Sequence, residues 1–295
     1  MAACPELSWP AAGGQGEDAM QFAHTDIAGF HWTANPNDQY IGRSLLTYGE
    51  WSYGEVGLLC GYLARDANVI EVGANIGAHT VPLARHVTAG RVIAFEPQRI
   101  CFQMLGANII NNDCINVATF NAAVGDVAGS TVMMDADPAM ALNFGGIGVN
   151  QDRIEAGGGM ALGKTPVVRL DDIIGPELKT ALIKCDAEGM EVRVLDGARR
   201  LIERDKPVLY LEDDRPALSQ SLYETVRGFG YDVWWHQVPL FRPDNLAGEA
   251  ANIFPNIYSF SLLCGHASKS LDTAGLRKLE SFADHPLHKR AAPAT

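Results

Sequence analysis

The chain has 295 residues, 47% of them hydrophobic and 20% charged, the balance of a globular protein with room for a large core rather than of a disordered chain. A formal net charge of −12, with no cluster of Lys and Arg, argues against a surface that tracks nucleic-acid phosphates. The six cysteines are scattered, with no pair at the short spacing of a zinc or redox motif. No basic leader with an apolar run is present, nor any stretch of roughly 18 apolar residues, so the expected compartment is the cytoplasm. Oligomeric state is not legible.

In chain order, residues 1–20 are rich in Ala, Gly and Pro and read as a mobile leader. Residues 21–67 read as an N-terminal cap, with helical spacing over Val56 to Leu63. From residue 68 to 267 short apolar runs alternate with amphipathic stretches, the pattern of an α/β domain built from βαβ units. Strands are predicted at Val69 to Gly73, Arg91 to Glu96, Asn116 to Val124, Ala181 to Asp186, Pro207 to Glu212, Tyr231 to His236 and Tyr258 to Cys264. Helices are predicted near Ile76 to His86, Gln98 to Asn111, Glu191 to Glu203 and Leu218 to Phe229. The rhythm breaks between 125 and 166, a glycine-rich insertion with one short hairpin and the character of a lid. A weak helix near Leu276 to Phe282 is predicted within a C-terminal tail, 268–295.

The segment VIEVGANIGAHT, Val69 to Thr80, runs from an apolar strand directly into a helix through glycines 73 and 77. Ligands bind beyond the carboxyl ends of parallel strands where the sheet order reverses, and small residues there let backbone approach the ligand. The next strand ends at Glu96, roughly 20 residues on, the place for a carboxylate that accepts hydrogen bonds from both ribose hydroxyls. Glu71, Gly73, Ala74, Asn75, Gly77 and Glu96 are therefore candidate cofactor residues, with Asn121 and Ala122 at the following strand's edge. An NAD-type oxidoreductase is the main rival. Its G-x-G-x-x-G needs a second glycine against the pyrophosphate, and Asn75 stands there; a nucleoside without phosphates fits better. A tight turn with no ligand is the bland alternative.

VIEVGANIGAHT, VIAFEP and LIKCDAEGMEVRVLDGA in this order resemble the FkbM family of S-adenosyl-L-methionine-dependent methyltransferases, over Tyr40 to Gly265. The family's V-D-V-G-A-N-x-G matches Val69 to Gly77 with Glu71 in place of Asp, and its K-x-D-x-E-G-x-E matches Lys184, Asp186, Glu188, Gly189 and Glu191. In LYLEDDRP, Asp213 stands where Asn is expected. The resemblance implies a class I methyltransferase Rossmann-like fold, a mostly parallel seven-stranded sheet with helices on both faces and the last strand antiparallel. It also implies S-adenosyl-L-methionine as cofactor.

Methyl transfer to a hydroxyl needs near-attack positioning and a base. Asp186, at the end of an apolar strand, is the first candidate base, or else a further cofactor ligand. Glu188 follows it, with helix capping as the alternative role. His236 is a third candidate, whose alternative is a satisfied strand-end histidine. Asp214, Arg215 and Trp235 are candidate acceptor residues, Trp235 either as packing or as a stacking platform. Asn245, Phe241 and Phe254 are offered for the acceptor side or as a buried bridge. Oxygen ligands from Asp186 with Asp213 or Asp214 allow a divalent metal, which is not the favoured reading. The leading expectation is O-methylation of a sugar, glycoconjugate or secondary metabolite, against an oxidoreductase or a noncatalytic cofactor-binding protein.

Overall fold

The computed structural model describes residues 22–147 and 159–287; the expected leader, 1–20, and part of the glycine-rich insertion lie outside the described residues. The chain opens with a hairpin, β1 (Ala23–Ile27) and β2 (Phe30–Ala34), then helices α1 (Ile41–Tyr48) and α2 (Tyr53–Gly61). The first βαβ units follow as β3 (Asn68–Val72), α3 (Thr80–His86), β4 (Arg91–Phe95), α4 (Arg99–Asn111) and β5 (Val117–Phe120). After β6 (Ala123–Val124), β7 (Gly129–Ala136), β8 (Gly159–Val168) and the short α5 (Leu170–Ile173), the main sheet resumes. It continues with β9 (Thr180–Cys185), α6 (Glu191–Asp196), α7 (Arg199–Asp205), β10 (Val208–Glu212), α8 (Pro216–Gly228), β11 (Tyr231–Pro239) and β12 (Tyr258–His266), and closes with β13 (Arg277–Leu279).

Among the described residues the main sheet has eight strands in the order β13-β11-β12-β10-β9-β3-β4-β5. From β5 through β10 the neighbours are parallel, and β12 runs antiparallel to both β10 and β11. The chain builds outward from β3 to β5, returns to β9 on the other side of β3, and continues to β10. The switch point therefore lies between β3 and β9, where Val72 pairs with Cys185 and a ligand crevice opens beyond the strand ends.

Alternate strand residues feed two cores, as the two-residue period of a strand requires. Ile70, Ile93, Ile183 and Leu209 pack with Val194, Leu201, Leu222 and Val226 from α6, α7 and α8. Val69, Val92, Leu182 and Tyr210 pack with Leu45, Leu59, Val81 and Met104 from α1 to α4. Helices thus cover both faces of the sheet.

Five expectations change. The strand expected over Asn116 to Val124 is two, β5 in the main sheet and β6 in a separate three-stranded one. The sheet has eight strands rather than seven because the segment expected as a weak helix at 276–282 is β13, paired with the open edge of β11 through Val233 and Leu279, then a 3₁₀ turn at Phe282–Asp284. The expected helix Glu191 to Glu203 is two helices. It breaks at Gly197, where the Gly125 carbonyl approaches so closely that a Cβ would lie 2.1 Å from it. The insertion holds more than one short hairpin: β8 pairs antiparallel with β7 and parallel with β6 in a second, three-stranded sheet. β11 runs on to Pro239, so Trp235 and His236 sit inside it rather than at its end.

Candidate functional site

Beyond the switch point lies a cavity of about 440 Å³, within the range of roughly 300–1,000 Å³ usual for small-molecule sites. Its floor is the turn after β3. Gly73 has φ 79, the left-handed region that favours glycine, and a Cβ there would lie 1.7 Å from the Asp186 carbonyl oxygen. The two crossover turns touch backbone to backbone, with the Asp186 N–H donating to Val72 O at 3.0 Å. Asn75 is also left-handed, φ 51, a conformation Asn tolerates, and its Oδ1 accepts the Ile76 N–H.

Glu96 follows β4 and faces this turn. Its Oε2 accepts the Asn75 N–H at 2.8 Å and its Oε1 the Gln98 N–H at 2.7 Å. Each carboxylate oxygen keeps a second lone pair for a ligand hydroxyl. Burial pushes the Glu96 carboxyl up to about 7 despite those amides, which pull it down. Glu71, expected to touch the cofactor, is buried under the turn and tied to Thr80 Oγ1 at 2.6 Å and to the Lys184 ammonium at 3.9 Å. Burial raises its carboxyl, and Lys184 opposes the rise.

Of the remaining cofactor candidates, Ala74, Ala122 and Asp186 line the cavity with Gly73, Asn75, Glu96 and Glu71. Gly77, φ 90, is buried beneath the turn and Asn121 stands beside the wall, its Nδ2 donating to Glu96 O and Pro97 O; neither lines the cavity. A nucleoside fits this donor set: a cradle kept open by glycine, and one carboxylate turned toward it with unused lone pairs.

Asp186 and Glu188 enter from the turn after β9. Lys184, 3% exposed on an otherwise apolar strand, lies 3.7 Å from Asp186 Oδ2. Burial alone would lower its ammonium, but Asp186, Glu71, Glu55 and Glu212 outweigh that and raise it, so Lys184 stays charged. Glu188 sits at φ 55 and is ion-paired with Arg215. Burial and the Asp186 charge push its carboxyl up to about 7, against the pull of Arg215. It does not cap α6: Glu191 Oε1 accepts the Ala187 and Gly189 N–H groups. Glu212, absent from the sequence candidates, completes an acidic face, raised well above the carboxylate range by burial and by Asp186 and Glu188.

Asp214 and Arg215 line the same cavity, with Arg215 paired to Glu188, Glu212 and Asp214. His236 and Trp235 do not line it. β12 separates β11 from β10, His236 Nδ1 meets Tyr210 Oη at 2.8 Å, and burial lowers its imidazolium. Trp235 packs on the far face of the sheet against His285, ring centroids 4.8 Å apart. Asn245 holds a loop turn through Arg242 O and Glu249 O, while Phe241 and Phe254 pack around Tyr48; none of the three lines the cavity.

Oxygens of Asp186, Glu188 and Glu212 lie within 4.8 Å of one another, so a divalent cation could bridge them. It would have to displace Lys184 and Arg215, which already balance that charge. Asp213, offered with Asp186 as a metal ligand, turns away to His285 and Ser219.

The opposite wall comes from residues that are not among the sequence candidates: Tyr40 and Trp51 of the cap, Leu240, Ile257, Tyr258 and Ser259 around the β11–β12 loop, and 143–147 of the insertion that the sequence marks only as a lid. That last piece is anchored, with Phe144 buried in the second core and Leu142 bridged to Asp38. Lys184 did leave a signal, a lysine inside the apolar run TALIKC. The wall residues left none, since only the fold brings them together. Among the described residues no helix is long and apolar enough to cross a membrane.

Among solved structures, the chain is similar to an FkbM methyltransferase from Methylobacillus flagellatus, at 20% identity and TM-score 0.44, over 73% of this chain and 49% of that one. It thus spans about half the length of that protein. It is also similar to a precorrin-6y C5,15-methyltransferase from Geobacter metallireducens, at 15% identity and TM-score 0.43, over 72% and 86% of the two chains. An rRNA methylase from Streptococcus thermophilus matches at 12% identity and TM-score 0.41, over 72% and 94%. No curated protein matches the chain. The methyltransferase FkbM domain matches residues 71–233, more than half of the sequence, and the chain belongs to that family.

Proposed function

We propose that the chain transfers a methyl group from S-adenosyl-L-methionine to a hydroxyl of a sugar, glycoconjugate or secondary metabolite. The observation that carries this reading is Asp186, a cavity-facing carboxylate held by Lys184 at 3.7 Å beside the Gly73 turn. The cofactor, when bound, supplies an electrophilic methyl on sulfur. Glu96 accepts the ribose hydroxyls and Ala122 borders the base, with Asn121 behind it bracing the Glu96 backbone. Asp186 accepts the acceptor's proton: the Lys184 ammonium 3.7 Å away holds it in the cavity, while burial and Asp186 push Glu188 and Glu212 toward their protonated forms. Those two carboxyls then donate hydrogen bonds to acceptor oxygens, and Arg215 fixes their orientation. Residues 68–267 form the catalytic domain and 21–67 a cap that contributes acceptor wall; the enzyme works in the cytoplasm without nucleic acid or a metal.

Incubating the protein with methyl-labelled S-adenosyl-L-methionine and cell extract tests the reading. The expected outcome is label in a small molecule or glycan as an alkali-stable ether. Binding without transfer would mark a noncatalytic cofactor protein, and label in nucleic acid would overturn the acceptor class.

A further inference from the structure

Behind the acidic face of the cavity, on the other side of the same strand end, lies a second polar cluster that the proposed chemistry does not use. Asp213, 4% exposed, stands between Glu212 and Asp214 but, unlike them, does not line the cavity. Its Oδ2 accepts the Ser219 hydroxyl at 2.9 Å and His285 Nε2 at 2.7 Å. His285 is fully buried. Its Nδ1 accepts the Leu287 N–H at 3.2 Å, so the ring proton sits on Nε2 and is given to Asp213. This is not a hydrolytic triad, because Ser219 and Asp213 meet the same ring nitrogen and all three groups are sealed from solvent.

What the cluster does is join three elements. Asp213 directly follows β10, Ser219 belongs to α8, and His285 to the C-terminal segment. That segment is itself fastened by β13 on the sheet edge, by the Ser281–Asp284 capping box and by Arg277 donating to Asp284 O at 2.7 Å. Trp235 closes the ring from below. Glu212 and Asp214 line the cavity and Asp213 between them does not, so fixing Asp213 behind the site restrains the residue on either side of it. Arg215, the N-cap of α8, carries the ion pairs that bind both to Glu188.

We propose that His285 is a positioning residue: the docked C-terminal segment, acting through Asp213, sets the orientation of Glu212, Asp214 and Arg215 on the acceptor side of the site. The departure from the family motif, Asp213 where Asn is expected, fits this role, since a buried carboxylate needs the donor that His285 supplies. The inference rests on the methyltransferase reading for its effect on rate, though not for its effect on structure.

The test uses the full chain and the variants His285→Ala, His285→Gln and Asp213→Asn/His285→Ala. His285→Ala should lower label transfer from S-adenosyl-L-methionine at least tenfold while cofactor affinity by calorimetry stays within twofold. His285→Gln, which keeps a donor, should restore most of the transfer. Hydrogen exchange at amides 213–215 should speed up about tenfold in His285→Ala, with amides 74–77 unchanged. A folded His285→Ala protein with transfer within twofold of wild type would overturn the proposal, as would transfer and cofactor affinity falling together. If His285→Ala does not fold, the double variant, which removes the stranded charge, decides: normal transfer overturns the proposal and a tenfold loss supports it. If the wild type transfers no label, the methyltransferase reading fails, and the exchange contrast alone then judges the positioning role.

Discussion

Around Gly73 the cavity is walled by backbone from neighbouring strand ends, whereas the acceptor wall opposite is made of side chains gathered from remote parts of the chain. The first half follows from one sheet and one continuous motif: β3 delivers the turn, β4 delivers Glu96, and β9 delivers the Asp186 carbonyl that Gly73 must accommodate. The second half needs the cap and the β11–β12 loop to meet. Glu50 and Arg242, 192 positions apart, clamp them through two hydrogen bonds of 2.8 and 3.1 Å. Sites of the first kind are fixed by topology. Sites of the second kind can change acceptor by changing a loop while the cofactor turn stays as it is.

If the halves are separate in this sense, each can be damaged alone. The largest effect belongs to Asp186. Asp186→Asn keeps the shape and removes the charge, and turnover should fall by about 10² to 10⁴ while cofactor affinity changes far less. Near-normal turnover would pass the base role to Glu188, and lost cofactor binding would make Asp186 part of the first half instead.

Next in size is the clamp. Arg242→Met leaves the 3% exposed Glu50 as an uncompensated buried charge, a loss of about 3 kcal/mol, the low end for broken buried pairs because Arg242 is partly exposed. Thermal or denaturant unfolding should report that loss. Calorimetry should show S-adenosyl-L-methionine binding within twofold of wild type, and a tenfold loss of cofactor affinity would show that the halves are not separate.

Glu96→Ala attacks the first half from the other direction. Each charged hydrogen bond lost should cost about 1.5 to 3 kcal/mol of cofactor affinity, with some of the loss coming from the freed Asn75 and Gln98 amides. Unchanged affinity by calorimetry would remove Glu96 from the site.

The same division explains what the sequence could disclose. Most strand positions, Gly73, Glu96 and Asp186 are legible because strand periodicity, turn chemistry and the spacing of one βαβ unit are local properties. Lys184 is half legible, a charge where the pattern demands an apolar residue. Tyr40, Trp51 and Ile257 are not, because nothing local distinguishes an aromatic or aliphatic residue that walls a cavity from one that fills a core. Trp235 and His236 are not placed by the sequence for a related reason: the order of β10, β12 and β11 and the length of β11 are long-range facts, and because β11 runs on to Pro239 it is Leu240, past its end, that reaches the crevice. β13 is too short to announce itself and exists only because β11 offers it an edge.

The smallest expected effect separates the halves by their protons. Glu96, raised to about 7, binds its proton more tightly folded than unfolded. Stability from this group is therefore present below the unfolded value near 4.5 and is lost as pH rises toward 7, on the order of 3 kcal/mol in total. Accepting two ribose hydroxyls favours the ionised form, so cofactor binding should run the opposite way, strengthening about tenfold from pH 6 to pH 8 as deprotonation ceases to oppose it. Near pH 6 close to one proton should leave on binding, and at pH 8 almost none, measurable by calorimetry in buffers of different ionisation enthalpy. Glu188 also titrates near 7 but stands on the acceptor side, so the cofactor alone should leave its proton in place. Glu96→Gln is the deciding control. If proton release at pH 6 persists in that variant, the proton comes from across the cavity, and the two halves are electrostatically one site.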